Sequence, residues 1–388
     1  MINLFIFLSM IFFFTLLVGW LLEKARIPWV FASLIIGLGL GFWNPFVEIT
    51  ETEGFGLLAD LGMYFLLFMI GYEVSLKNIR KKSAFLFKLT FFAIVFEAVF
   101  TGIFIHFSMG TTWIISFAVS LSFATIGEEV ILPILDEFKL SKKRIGQTMI
   151  DVGIIDDIFD TIVLSIAVIL IGIHFNQEVD LIGIVISFIG IFALTSFLNE
   201  INKKEGRFQL HDIERTFFLA IAILFCFIGI GKIGGIEELG ALFAGISVHA
   251  FIPKNRRKNI EGQLKAISYG FFIPVFFVSI CLELDLAYVS SSWILVLLLT
   301  LIALASKSFG SWLSARKELG NRNSILLGIG LSAKFSMTIV ITKMLYDSAL
   351  ISLELFSLIV VSGLIFTIGI SLVFPILIKR WLPLKSKE

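Results

Sequence analysis

Charge is what this chain has least of. Only 16% of its 388 residues are Asp, Glu, Lys or Arg, whereas a soluble domain of this size carries about a quarter. With 58% hydrophobic residues and a mean hydropathy of +0.99, that shortage excludes a single soluble globular domain and a disordered chain. An excess of either sign is missing too. Lys and Arg number 31 against 30 Asp and Glu, so no global field points to nucleic acid. The two cysteines, Cys226 and Cys281, both fall inside apolar runs. They read as small buried residues and not as a disulfide framework or a metal site. The four histidines, His106, His174, His211 and His249, lie at or near loops without a His-x-x-His spacing, and no Gly-rich phosphate loop occurs. An enzyme is therefore not expected, nor is a cofactor.

What fills the chain is long apolar sequence. Thirteen stretches can be marked, at 2–22, 28–42, 56–73, 84–106, 113–135, 144–171, 181–199, 213–231, 236–251, 264–283, 289–315, 321–345 and 353–378. A spanning helix with its connection takes roughly 30 residues, so the length suits about 13 crossings. The stretches lack period-two alternation and are too long for barrel strands. The fold class is thus an all-α polytopic membrane protein. The first run has no basic segment before it and no small-residue cleavage site, so it reads as a span and not a removable signal.

The loops sort by charge. Those after runs 1, 3, 5, 7, 9 and 11, with the C-terminal tail, hold all but five of the 31 Lys and Arg residues. The opposite loops carry Glu48, Glu51, Glu53, Glu178 and Asp180. The positive-inside rule then predicts an outside N-terminus and a C-terminus in the cytoplasm. Thirteen is odd, so runs 1 and 8 point in opposite directions. The count and topology therefore predict inverted repeats, over 1–180 and 213–388, joined by a linker helix within 181–212.

Of the five remaining basic residues, Lys88, Lys232 and Lys343 sit near span ends and can snorkel. Lys307 and Lys334 lie deep, where a charge costs about 2.5–3.5 kcal/mol even on the lenient insertion scale. The sixth run adds Asp156 and Asp157 near its midpoint, with Asp160 one turn on and Asp151 before. Asp156 and Asp160 share a helix face. Intramembrane acids mark ion pathways or proton relays more often than structural pairs, and adjacent carboxylates resist simultaneous ionisation. Two other runs carry polar, Gly-containing interruptions at mid-membrane. One is Ser122-Phe123-Ala124-Thr125-Ile126-Gly127-Glu128-Glu129, followed by Pro133. The other runs from Gly328 to Thr338 and includes Ser332 and Lys334. They occupy corresponding places in the two proposed repeats and predict broken helices, whose freed ends coordinate ions.

Together these residues resemble the monovalent cation–proton antiporter superfamily, in particular its NapA/GerN-like bacterial Na⁺/H⁺ antiporters. The resemblance covers essentially the whole chain. The family's paired aspartates match Asp156 and Asp157, its threonine on the broken fifth helix matches Thr125, and its buried lysine matches Lys307. The twelfth-helix segment is similar with departures: Ser332 stands for Asn, Lys334 for Arg and Thr338 for Glu. Glu128, Glu129 and Asp160 are further acids outside the family's usual pattern. The resemblance implies two crossed discontinuous helices and exchange of Na⁺ or Li⁺ for protons across the bacterial cytoplasmic membrane. It also implies a homodimer in the lipid bilayer. Asp157 would supply the principal oxygen for the transported cation, with Asp156 and Thr125 completing the shell. Lys307 would pair with Asp156 until the cation arrives and would then release a proton, giving electrogenic exchange. A K⁺/H⁺ antiporter of the same superfamily, or a transport-inactive sensor of this fold, is the alternative. Lys334, held by carbonyls of its own helix break, is expected to be structural.

Overall fold

The structure, a computed structural model, describes residues 3–24, 27–74, 83–174, 186, 189–191, 193–196, 213–252, 254–334 and 336–381. Among the described residues all regular structure is helical. The first four helices are α1 (Leu4–Lys24), α2 (Phe31–Phe42), α3 (Val47–Thr50) and α4 (Glu53–Glu73). Next come α5 (Ala84–Met109), α6 (Trp113–Phe123), α7 (Glu128–Glu137), α8 (Arg144–His174), α9 (Ile213–Ile233) and α10 (Glu237–Phe251). Then α11 (Lys254–Ile267) runs through a π-helical turn, Ser268–Phe272, into α12 (Ile273–Leu282). The last five are α13 (Leu286–Ser291), α14 (Trp293–Leu319), α15 (Asn321–Gly330), α16 (Ser336–Asp347) and α17 (Leu353–Trp381).

Among the described residues, seven helical stretches are long and apolar enough to cross a membrane. They are Leu4–Lys24, Glu53–Glu73, Ala84–Met109, Glu214–Ile233, Arg257–Leu282, Trp293–Leu319 and Leu353–Trp381. The protein is a multi-pass membrane protein. The seventh apolar run, 181–199, falls largely outside the described residues. Two differences from the sequence reading stand out. The basic segment 254–258, read as a loop, opens helix α11. Cys281 is buried as expected, but Cys226 is exposed. An apolar run in a bilayer has a face that turns away from protein, and a cysteine there needs no burial.

The chain forms two compact units. The first comprises Met1–Thr15, Ser33–Ser75 and Val168–Leu282. Its core includes Phe7, Leu8 and Ile11 packed with Phe55, Val275 and Val278. The second comprises Leu16–Ala32, Leu76–Ala167 and Glu283–Glu388, and it holds every candidate site residue. Helix α14 is central to it. At Gly310 a Cβ would stand 2.5 Å from the carbonyl oxygen of Phe92 on α5. At Gly328 on α15 one would stand 2.5 Å from the Cα of Ser308 on α14. Missing side chains at those two points let three backbones approach closely.

Candidate ion site

Both mid-membrane interruptions are helix breaks. Helix α6 stops at Phe123 and α7 starts at Glu128; α15 stops at Gly330 and α16 starts at Ser336. The breaks touch directly, since the Gly127 N–H donates to the Ala333 carbonyl at 2.8 Å.

A broken helix leaves carbonyls unpaired at one end and N–H groups at the other, with partial charges of opposite sign. The first break meets each end with a charge that suits it. Lys307, on α14, donates from Nζ to the Ala124 carbonyl at 2.7 Å and to the Thr125 carbonyl at 3.3 Å. Lys334 donates to that same Thr125 carbonyl at 3.3 Å. At the other end the Ile126 N–H donates to Asp156 Oδ2 at 2.7 Å. Asp156 comes from α8 and is 2% exposed; its second oxygen, Oδ1, has no hydrogen-bond partner.

Between the two ammoniums lies Glu97, which the sequence reading did not single out. It projects from α5 and is fully buried. Lys307 Nζ stands 3.0 Å from Glu97 Oε2, and Lys334 Nζ 2.6 Å from Oε1. Both contacts are close ion pairs. With Asp156 ionised, the four buried side chains sum to zero charge. That balance is what makes such burial tolerable.

Two expectations about the lysines need correction. Lys307 pairs with Glu97 and not with Asp156, whose bonded oxygen is engaged by the Ile126 N–H. Lys334 is not held by carbonyls of its own break. The Lys334 carbonyl accepts from the Thr367 hydroxyl, while its ammonium reaches across to Glu97 and Thr125. The rings of Phe123 and Phe366 flank that ammonium, with centroids at 5.2 and 5.7 Å.

Thr125 is buried inside the first break. Its Oγ1 lies 3.1 Å from the Ser122 carbonyl and 3.0 Å from Thr338 Oγ1. Asp157 is half-buried and Asp160 is buried one turn on. Ser332 stays local, donating to the Gly328 carbonyl at 2.8 Å. The side chains of Glu128 and Glu129 lie outside the described residues. Asp156, Thr125, Lys307, Lys334 and Thr338 are thus drawn into one cluster with Glu97. The signal for Glu97 was present in the sequence: it is the one acid in the run 84–106.

A sequence profile described as sodium/hydrogen exchanger, transmembrane, matches residues 12–380. The chain belongs to that family. Among its relatives is the probable Na⁺/H⁺ antiporter 3 of Methanocaldococcus jannaschii. It is 28% identical over 368 residues, which cover 93% of this chain and 92% of that protein. The Na⁺/H⁺-K⁺ antiporter GerN of Bacillus cereus is 25% identical over 364 residues, 91% of each chain. The resemblance to GerN-like antiporters read from the motifs therefore holds. The solved structure of the sodium proton antiporter MjNhaP1 from M. jannaschii at pH 8 has this fold, with a TM-score of 0.68. The match covers 97% of this chain and 98% of that one at 16% identity.

Proposed function

We propose that this family member exchanges a monovalent cation, Na⁺ or Li⁺ first among them, for protons across the bacterial cytoplasmic membrane. The carrying observation is the buried carboxylate of Asp156, with one oxygen unpartnered, fixed at a helix break beside Thr125. A hard cation seeks oxygen ligands, and a fully dehydrated one needs several. Asp156, Asp157 and Thr125 offer them. Asp157, being half-buried, is the carboxylate an ion reaches first from water. The names of the relatives support the same reading.

The test is purified protein in proteoliposomes under an imposed pH gradient, comparing Na⁺, Li⁺ and K⁺. Cation-driven proton movement is expected in the wild type and lost in Asp157→Ala, which should stay folded because one of two repelling carboxylates is gone. Normal exchange by Asp157→Ala would show that the site is elsewhere.

The finer architecture is part of the same proposal. Thirteen crossings, with inverted repeats over 1–180 and 213–388 around a linker in 181–212, suit the two corresponding helix breaks, which would cross at mid-membrane. Each compact unit drawing on both halves of the chain supports it as well. The homodimer follows from the resemblance. Stoichiometry is where the geometry alters the reading. With Lys307 paired to Glu97, an arriving cation displaces no lysine from Asp156. We therefore propose one proton per cation, without net charge movement, in place of electrogenic exchange. Currents on a solid-supported membrane decide between the two.

A further inference from the structure

Thr125 is held from two sides. Its carbonyl takes both lysine ammoniums. Its hydroxyl meets a second hydroxyl from the other helix break. Thr338, on the first turn of α16 and 1% exposed, puts Oγ1 3.0 Å from Thr125 Oγ1 and 3.0 Å from the Ser122 carbonyl. Thr125 Oγ1 is itself 3.1 Å from that carbonyl. Three oxygens therefore form a triangle with two hydroxyl protons between them.

The proton count restricts what the triangle can do. The Ser122 carbonyl only accepts, so each hydroxyl must donate within the triangle to keep all three groups satisfied. Whichever of the two donates to the other, the Thr125 proton stays inside the triangle. A lone pair of Thr125 Oγ1 is left pointing out of it. The site is buried, so water cannot substitute for a missing partner, and the arrangement persists. Without Thr338, one bond to Ser122 within the same chain segment is all that restrains the Thr125 side chain.

We propose that Thr338 is a positioning residue for the transported cation: it fixes the Thr125 hydroxyl as an acceptor and so sets cation affinity and size discrimination. The inference rests on the proposed exchange and on Thr125 as a ligand. A ligand oxygen held at a fixed point favours the ion whose radius suits the gap, whereas a loosened one accommodates several. Thr338 also joins α16 to the first break, adding to the Gly127–Ala333 main-chain bond and the Lys334–Thr125 bond that stitch the two breaks together.

The experiment measures Na⁺-, Li⁺- and K⁺-driven proton movement in proteoliposomes over a range of cation concentrations. Thr338→Val keeps the shape and removes the hydroxyl. Losing one hydrogen bond corresponds to about 2- to 10-fold in affinity. Thr338→Val should therefore raise the apparent KM for Na⁺ by that factor with a smaller change in maximal rate, and should narrow the difference between Na⁺ and K⁺. Thr338→Ser, which restores the hydroxyl, should return KM to within about twofold of wild type, inside the range of that single bond. In a Thr125→Val background, Thr338→Val should add nothing further. Na⁺-induced rise in melting temperature of detergent-purified protein gives the same comparison without transport. An unchanged KM in Thr338→Val overturns the proposal. So does a lower maximal rate and melting temperature at constant KM, a Ser variant that behaves like Val, or effects that add in the double variant. If no cation drives protons in the wild type, the exchange reading itself has failed.

Discussion

Glu97 is the residue on which the cluster's stability turns. It is the shared partner of two fully buried ammoniums, so replacing it leaves both uncompensated in a place water does not reach. Removing one member of a buried ion pair costs about 3–5 kcal/mol, mostly because the other charge is stranded. Glu97→Gln should therefore lower the melting temperature in detergent more than any substitution of an exposed acid. Adding Lys334→Met removes one stranded ammonium and should recover part of the loss. If Glu97→Gln melts like the wild type, the two lysines draw their compensation from the helix-break carbonyls alone. At this scale the sequence was only half legible. The cost of a mid-membrane charge pointed to Asp156, Lys307 and Lys334, and the same cost applied to Glu97. What no sequence position reveals is partnership. Lys307 is 210 residues from Glu97 and 151 from Asp156, and only the packing of α5 against α14 decides between them.

The helices themselves were easier to read, because each is specified by its own local pattern. Glycine and polar residues at mid-span foretold both breaks, after Phe123 and after Gly330, since a helix interrupted in a membrane must find other partners for its main chain. The way those partners are supplied was not foretold. The first break takes cations at its carbonyl end and a carboxylate at its N–H end, with Lys307 supplied by α14, Asp156 by α8 and Lys334 by the second break. Close packing holds those helices in register. Gly310 lies one turn beyond Lys307 on α14 and faces the Phe92 carbonyl of α5, one turn and a residue before Glu97. A methyl group there meets backbone, which cannot swing aside, so α14 must shift away from α5 and strain the Lys307–Glu97 pair. Gly310→Ala should lower both the melting temperature and the rate of exchange. Gly369→Ala, on α17 where a Cβ meets nothing within 4 Å, serves as the control. It should be neutral, or more stable by up to about 1 kcal/mol from helix propensity. Equal behaviour of the two variants would mean that the α5–α14 contact has slack enough to absorb a methyl group.

For the molecule as a whole, charge placement carries the topology. A basic residue resists translocation, so the side of the membrane where Lys and Arg accumulate is the side the chain never left during insertion. Here that bias is strong: Lys88, Lys232, Lys307, Lys334 and Lys343 aside, the basic residues fall at alternate connections. The structure adds one refinement, because the basic segment 254–258 is helical and opens α11. A helix with Lys254, Arg256, Arg257 and Lys258 at its start is no less resistant to crossing than a loop with the same residues. On the proposed topology it would also keep its charge near the anionic inner surface of the bilayer. The orientation is therefore testable at a single position. In a variant with Cys226 and Cys281 replaced by Ala, Arg256→Cys should react with a membrane-impermeant thiol reagent in inside-out vesicles and stay unreacted in intact cells. A cysteine at Glu51, in the acidic connection on the opposite side, should show the reverse. Two cysteines labelled from the same side would require an even number of crossings between 51 and 256. Runs 3 to 9 make seven, so that result would break the odd count on which the inverted repeats depend.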